Sequence, residues 1–313
     1  MSIAAVAQSR ARFNCKVCGS ETDAFQDTDR FTQQLCRNCV TKRKDKRPRE
    51  LNELTGKEWA QSSRSVQEYP DVRSAKQRHH GAAFPMSLAR QQILTYTRTG
   101  GTVLDPFLGV GTTLDACAET GRLGIGVEIN AEYHALAASD LADHPEQRVI
   151  LGDAMRLSEH VPDGSVDLVL TSPPYGNLLR NVKGAFAYKW REHSNIGTVA
   201  NPRPYSDDPL DLGNLSYEDY LVAITDVMRG TYEALKPGGY AVWVVKDFRA
   251  LKEKIPFVPL HMHISQCAMD AGFKMWDIQI YDQTRFRPLV CLGYPSKNFY
   301  LNIGHSYNLV FRK

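Results

Sequence analysis

The chain has 313 residues, 42% of them hydrophobic, enough for one large α/β domain and a small appendage. No apolar run approaches the roughly 20 residues that a membrane-spanning helix needs, and Met1–Phe13 has neither the apolar core nor the cleavage site of a secretory signal, so a soluble, cytoplasmic protein with reduced cysteines is expected. The net charge of +3 is unevenly placed: residues 1–50 hold 11 Lys/Arg against 6 Asp/Glu, an excess of five that leaves the remainder at −2.

From the N-terminus, the first feature is two cysteine pairs. Cys15-x2-Cys18 and Cys36-x2-Cys39 are separated by 17 residues, a spacing at which two knuckles close on one tetrahedral zinc ion. About 40 residues bury too little core to fold unaided, and zinc contributes roughly 10–16 kcal/mol of apparent free energy to such modules. Residues 1–45 are therefore read as a zinc module whose closed, structural Zn2+ is held by Cys15, Cys18, Cys36 and Cys39. Thr41–Glu50 carries six basic residues and two acidic ones, which suits either a phosphate-binding arm or a solvated linker. Residues 46–78 read as a basic linker with a helical patch at Leu51–Trp59.

From residue 79 the pattern alternates. Strand-like runs fall at Thr102–Leu104, Gly124–Glu128, Arg148–Leu151, Val166–Thr171, Tyr240–Val245, Phe273–Tyr281 and Tyr307–Phe311. Amphipathic helical runs lie between the early ones, at Thr112–Glu119 and Ala131–Ala142. A third run, Tyr217–Leu235, is stopped before a strand by the turn Lys236-Pro-Gly-Gly239. Strands alternating with helices predict an α/β domain over 79–313 with a doubly wound, mostly parallel sheet of seven strands. The last two strands lack a long helix between them and are expected to pair as an antiparallel hairpin.

Val103–Thr113 (VLDPFLGVGTT) ends a strand and opens a helix. Asp105 stands at the strand's carboxyl end, where such sheets bind nucleotides, and Gly109 and Gly111 permit a tight turn and close backbone approach. Glu128 ends the next strand, where a carboxylate suits ribose hydroxyls. Asp153 ends the third, where it can accept from an adenine amino group. The G-x-G-x-x-G of NAD sites is missing, since Thr112, Thr113 and Leu114 follow Gly111. After the fourth strand comes Ser172-Pro173-Pro174-Tyr175. Two successive prolines continue neither a helix nor a ladder; they hold a stiff turn whose carbonyls face a ligand, and Tyr175 adds an aromatic face.

These strings together resemble the amino-methyltransferases of DNA, the N6-adenine and N4-cytosine family. Asp105-Pro106-Phe107-x-Gly109-x-Gly111-Thr112 is similar to the family's cofactor motif, His80–Leu88 with Phe84 and Pro85 at its centre to the segment lying against the methionine end of the cofactor, and Ser172–Tyr175 to its catalytic tetrapeptide. The resemblance implies a Rossmann-like class I methyltransferase fold and S-adenosylmethionine as cofactor, with Ile129 and Ala154 beside Glu128 and Asp153. It also implies double-stranded DNA as substrate. The Ser form of the tetrapeptide is typical of N4-cytosine enzymes, so N4 of cytosine is expected ahead of N6 of adenine or an RNA base. The motif order, cofactor before catalysis, departs from the permuted order of many N4-cytosine members. Asn52–Trp59 (NELTGKEW) resembles a stretch upstream of the cofactor motifs in some related methylases.

The chemistry accounts for the residues. An exocyclic amine is a poor nucleophile because its lone pair is delocalised into the ring. Acceptors aimed at both N–H bonds, the Ser172 hydroxyl and the Pro173 carbonyl, localise that pair for in-line attack on a sulfonium methyl. The base must first leave the duplex, and stacking on Tyr175 returns about 1–3 kcal/mol. A carbon-5 methyltransferase of DNA would carry a Pro-Cys nucleophile; no Pro-Cys occurs here, and Cys117, Cys267 and Cys291 read as core residues. DNA-reading loops are expected over 176–216, with Arg180, Lys183, Lys189, Trp190, Arg191 and Arg203, and over 284–297.

Overall fold

Alternation of side chains along four central strands sets the architecture. In each, one residue faces one layer of helices and its neighbour the other, as a sheet covered on both faces requires. The computed structural model describes residues 9–26, 28–44, 50–177, 208–250, 254–287 and 295–313. Lys46, Arg47 and Arg49 of the basic run, the six named residues of the first loop and Cys291 lie outside the described residues. The chain divides into two units, Met1–Glu50 and Leu51–Lys313.

In the first unit, β1 (Arg10–Asn14) and β2 (Glu21–Phe25) form an antiparallel hairpin, followed by the single turn α1 (Asp29–Thr32) and by α2 (Arg37–Lys44). Among the described residues its buried apolar side chains are few: Phe13, Ala24 and Leu35 beside Cys15 and Cys36.

The second unit runs α3 (Gly56–Ser62), β3 (Val66–Glu68), α4 (Ala75–His80), α5 (Met86–Tyr96), β4 (Thr102–Asp105), α6 (Thr112–Thr120), β5 (Leu123–Glu128), α7 (Ala131–Asp140), β6 (Gln147–Leu151) and β7 (Val166–Thr171). It continues with α8 (Tyr217–Ala234), β8 (Leu235–Val245), a small hairpin of β9 (Phe248–Ala250) and β10 (Ile255–Val258), α9 (Leu260–Asp270), β11 (Lys274–Asp282) and β12 (His305–Arg312). One sheet carries the order β3-β11-β12-β8-β7-β4-β5-β6. Its pairings are parallel except the two made by β12, which is antiparallel to β11 and β8. The seven strands expected from the sequence are all present, and the last two pair as a hairpin.

Leu104, Val169, Trp243 and Leu309 pack with Tyr220 and Ile224 of α8 and Leu260 and Ile264 of α9. Their neighbours Val103, Leu168, Val242 and Val310 pack with Leu88 and Ile93 of α5 and Ala116 and Cys117 of α6. Full burial of each large side chain contributes about 1.5–3 kcal/mol. No helix among the described residues is long and apolar enough to cross a membrane.

The sheet has an eighth strand, β3, and it comes from the segment expected to be linker. β3 pairs in parallel with β11 at the sheet edge. Asn52 Nδ2 donates to the Thr95 carbonyl at 2.7 Å, and Glu53 Oε2 takes the buried Arg122 guanidinium at 3.3 Å. Tyr69 is buried edge-on against Tyr281. Residues 51–78 are thus built into the second unit, held by groups distant in sequence. The helical patch narrows to α3, which Thr55 and Glu58 start with a reciprocal capping box. Lys236-Pro-Gly-Gly239 is a bulge at the start of β8, with Gly238 at φ +80°, and the strand begins directly after α8.

Candidate active site and thiolate cluster

The thiolate cluster is built by two turns. Cys15 follows β1, and the chain reverses through Gly19 (φ +74°), whose N–H donates to the Cys15 carbonyl at 2.8 Å. Lys16 N–H donates to the Gln34 carbonyl at 2.9 Å, fastening this knuckle to the turn that precedes Cys36. Cys36 immediately precedes α2 and Cys39 lies in its first turn. The four ligand atoms all lie within 4.8 Å of one another, and Cys18 Sγ and Cys36 Sγ are 3.6 Å apart. Four sulfurs about 2.3 Å from one zinc ion would be separated by about 3.8 Å, so this set fits Zn2+. Hydrogen bonds from the Cys36 backbone pull the Cys15 thiol down to about 6, and the Ser20 side chain lowers that of Cys18. Cys39 is pushed up to about 12 by its hydrogen bonds with Cys36 and then Cys18. Four thiolates so close repel one another, and a divalent cation relieves that repulsion.

In the second unit the residues singled out by sequence converge at the carboxyl ends of β4, β5 and β7. Asp105, 1% exposed, is the knot. Its Oδ1 accepts from Thr171 Oγ1 at 2.6 Å and from Phe107 N–H at 3.1 Å, and its Oδ2 from Thr113 Oγ1 at 2.5 Å. One carboxylate therefore joins the glycine loop, the start of α6 and the residue before Ser172. Burial raises it to about 6 despite those donors. Pro106 is buried, and Phe107 lies edge-on to the buried Trp243, ring centroids 6.2 Å apart.

The glycines are required by geometry. Gly109 (φ +57°) and Gly111 (φ +93°) are left-handed, and a Cβ on Gly109 would come 2.9 Å from His80 Nε2. Glu128, 8% exposed, spans the loop: Oε2 accepts from Gly109 N–H at 2.7 Å and Oε1 from Asn130 N–H at 2.8 Å. Burial pushes its carboxyl up to about 7. Gly152 N–H donates to the Glu128 carbonyl at 2.9 Å, which sets the end of β6 beside that of β5. Asp153 Oδ1 caps the following 3-10 turn through Met155 N–H, with Ala154 buried behind it and Ile129 half-buried.

Phe84 and buried Pro85 are brought to this loop by a residue that the motifs do not mark. Gln77 Nε2 donates to the Phe84 carbonyl at 3.1 Å and to Thr112 Oγ1 at 3.3 Å. His80, on the same helix, sits over Gly109 and against the Tyr133 ring, and burial lowers its pKa to about 4. Gln77 carries no sequence signal, and His80 carries only its place at the start of the His80–Leu88 segment.

Ser172 and Tyr175 are half-buried and Pro173 buried at the end of β7. Gly176 (φ +65°) turns the chain away, because a Cβ there would meet the Tyr220 ring at 3.3 Å. The Tyr175 ring is parallel to that of Phe248, 6° between planes and 6.0 Å between centroids. Phe248 and Lys246 follow β8, the strand next to β7, and no motif marks them. Behind them the Trp243 indole N–H and the Tyr220 hydroxyl are buried without a hydrogen-bond partner among the described residues.

The sheet order, with its single reversed strand, and the glycine loop and Ser-Pro-Pro-Tyr turn at adjacent strand ends define a Rossmann-like methyltransferase fold. The N6/N4 methyltransferase family, described as DNA methylase, matches residues 12–139 and 166–313. The chain belongs to this DNA methylase family. It is 50% identical over 58 residues to the type II methyltransferase M.SmaI of Serratia marcescens, a match covering 18% of this chain and 20% of that one. It is 40% identical over 87 residues to M.BglI of Bacillus subtilis, covering 28% and 24%. These matches span only a fifth to a quarter of the relatives' own length. Among solved structures, TrmN from Thermus thermophilus is 16% identical with a TM-score of 0.45, over 76% of this chain and 53% of that one. A candidate DNA modification methylase from Thermus thermophilus, complexed with S-adenosyl-L-methionine, is 25% identical with a TM-score of 0.33, over 52% and 53%.

Proposed function

We propose that this protein is an S-adenosylmethionine-dependent DNA methyltransferase acting on N4 of a cytosine turned out of the duplex. The observation that carries the reading is the Asp105 knot, which ties a glycine loop suited to a nucleotide-like cofactor to the residue preceding Ser172. S-adenosylmethionine, when bound, supplies an electrophilic methyl group on a sulfonium centre. Gly109 and Gly111 admit the ligand against the backbone. Glu128 accepts from ribose hydroxyls, Asp153 from the adenine amino group, and Phe84 and Pro85 cover the methionine end. Pro106, Phe107, Thr112, Ile129 and Ala154 complete the walls. Asp105, 1% exposed and holding three protein donors, acts by fixing the loop.

At the base, the Ser172 hydroxyl and the Pro173 carbonyl accept the two N–H bonds of the amine, and Pro174 keeps that turn from relaxing. Tyr175 stacks on the extruded base. The Ser at position 172 supports cytosine N4 ahead of adenine N6. The four-thiolate cluster fits a structural Zn2+, and residues 1–45 are read as a module that, with the basic run after it, steadies the DNA backbone. The loops over 176–216 and 284–297 are assigned to sequence reading.

The test is mass spectrometry of nucleosides from the DNA of cells expressing the protein or its Tyr175→Ala variant. N4-methylcytosine dependent on Tyr175 is the expected result. N6-methyladenine would keep the mechanism and overturn the base, and a mark found only in RNA would overturn the substrate.

A further inference from the structure

Gln283, 9% exposed, follows β11, and its side-chain oxygen accepts from two cations at once: Lys246 Nζ at 3.1 Å and Arg287 Nε at 2.6 Å. The amide is pinned in this sense, because its Nε2 donates to the buried Ser306 Oγ at 3.2 Å. Lys246 also donates to the Ile303 carbonyl at 3.1 Å. All of these acceptors are neutral. Neither cation forms an ion pair among the described residues.

Two like charges within about 6 Å, sharing one neutral oxygen, repel strongly in a partly desolvated site. The cost shows in their titration: burial and then Arg287 pull Lys246 down to about 7, and burial lowers Arg287, with Arg73 adding to the effect. Arg73, from the segment before α4, donates one N–H to the Gly81 carbonyl at 3.0 Å and lies within electrostatic reach of Arg287. Native structures keep such unpaired cations where an anion completes them. The place is informative. Lys246 is two residues from Phe248, the ring parallel to Tyr175, and Arg287 lies within electrostatic reach of the Tyr175 hydroxyl. An anion seated here lies within electrostatic reach of the ring that the proposed function assigns to base stacking.

We propose that Lys246 and Arg287, held together on Gln283, form the seat for a DNA phosphodiester next to the extruded base. The seat rests on the reading of this chain as a DNA methyltransferase. A nucleotide that swings out carries its phosphate with it, and the guanidinium fork and ammonium grip that phosphate at the rim of the pocket. The seat engages only when the nucleotide is out, so it holds the flipped state rather than the duplex at large.

The experiment uses the full chain and a fluorescein-labelled duplex with one mismatched cytosine, which leaves the stack cheaply. Affinity is measured across a salt series, alongside cofactor affinity and melting temperature. Arg287→Gln and Lys246→Met should each flatten the slope of log affinity against log salt by about 0.9, weaken binding several-fold and leave cofactor affinity unchanged. Arg287→Lys should keep the slope. Arg229→Gln, which removes a cation ion-paired with Asp226 on α8, should change nothing. Lys246→Met should also raise the melting temperature of the free protein, because an uncompensated charge is gone. A wild-type slope in both Arg287→Gln and Lys246→Met, or an equal loss of cofactor affinity, overturns the seat. Methyl transfer to genomic DNA is scored separately: a wild type that transfers nothing counts against the enzymatic reading, while the slopes still decide the seat.

Discussion

The two sides of the second unit's candidate site are finished to different degrees. On the side assigned to the cofactor, the buried acids are held by the chain itself: Asp105 takes three donors and Glu128 two, and Gln77 sews Phe84 to Thr112. On the side assigned to the base, Lys246 and Arg287 crowd a single neutral oxygen, and the Trp243 and Tyr220 donors are buried without a partner among the described residues. A cofactor pocket that always receives the same small molecule can be preorganised completely. A pocket that must admit a large, charged nucleotide bears unmet polar groups until it arrives. Stability is given up where recognition needs it.

This contrast can be broken by substitution, from the most severe effect to the mildest. Gly109→Trp should abolish cofactor binding by calorimetry, because the position is left-handed and His80 Nε2 stands 2.9 Å from a Cβ; retained binding would show that the loop is not the cofactor seat. Tyr175→Ala should cut methyl transfer at least about 10–100-fold as roughly 1–3 kcal/mol of stacking disappears, with cofactor affinity within about twofold of wild type. Full activity would remove Tyr175 from the base side. Deleting residues 1–50 should weaken DNA binding about tenfold at moderate salt and flatten its salt slope by roughly one for each phosphate no longer neutralised; an unchanged slope would free the basic run of that role.

The mildest effect is in pH. Burial raises the Glu128 carboxyl to about 7, above its unfolded value of about 4.3. The folded chain therefore binds the proton more readily, and this group's contribution to stability, present in full below about pH 4, is lost as pH rises through about 7. Glu128→Gln should flatten that fall, read from melting temperatures between about pH 4 and 8. Ribose hydroxyls donate to the ionised form, so cofactor affinity should fall up to about tenfold as pH drops from about 8 to 6, and the variant should lose this dependence. A pH-independent wild type would take Glu128 away from the ribose.

The features legible in the sequence concern residues close along the chain. The Cys pairs, the glycine loop and the Ser-Pro-Pro-Tyr turn are local, because a knuckle, a left-handed turn or a stiff diproline is made by neighbours. The strand set was legible for a similar reason: each of the seven runs is a short stretch carrying aliphatic or aromatic residues, bounded by turns or helical runs. The register of Lys236–Gly239 was not, since a bulge depends on its partner strand, and neither was β3, whose three residues form a strand only because the edge of β11 is there to pair with.

The sequence by itself thus determined the methyltransferase sheet, the glycine loop, the Ser-Pro-Pro-Tyr turn and the thiolate set, each through short-range chemistry with its own pattern. Tertiary structure alone decided that 51–78 belongs to the second unit, that Gln77 and His80 lie at the glycine loop, that Phe248 parallels Tyr175, and that Lys246 meets Arg287 on Gln283 from a distant stretch of chain. Those juxtapositions leave no pattern because loop closure brings together residues whose types are ordinary where they stand, and only the packed sheet makes them neighbours.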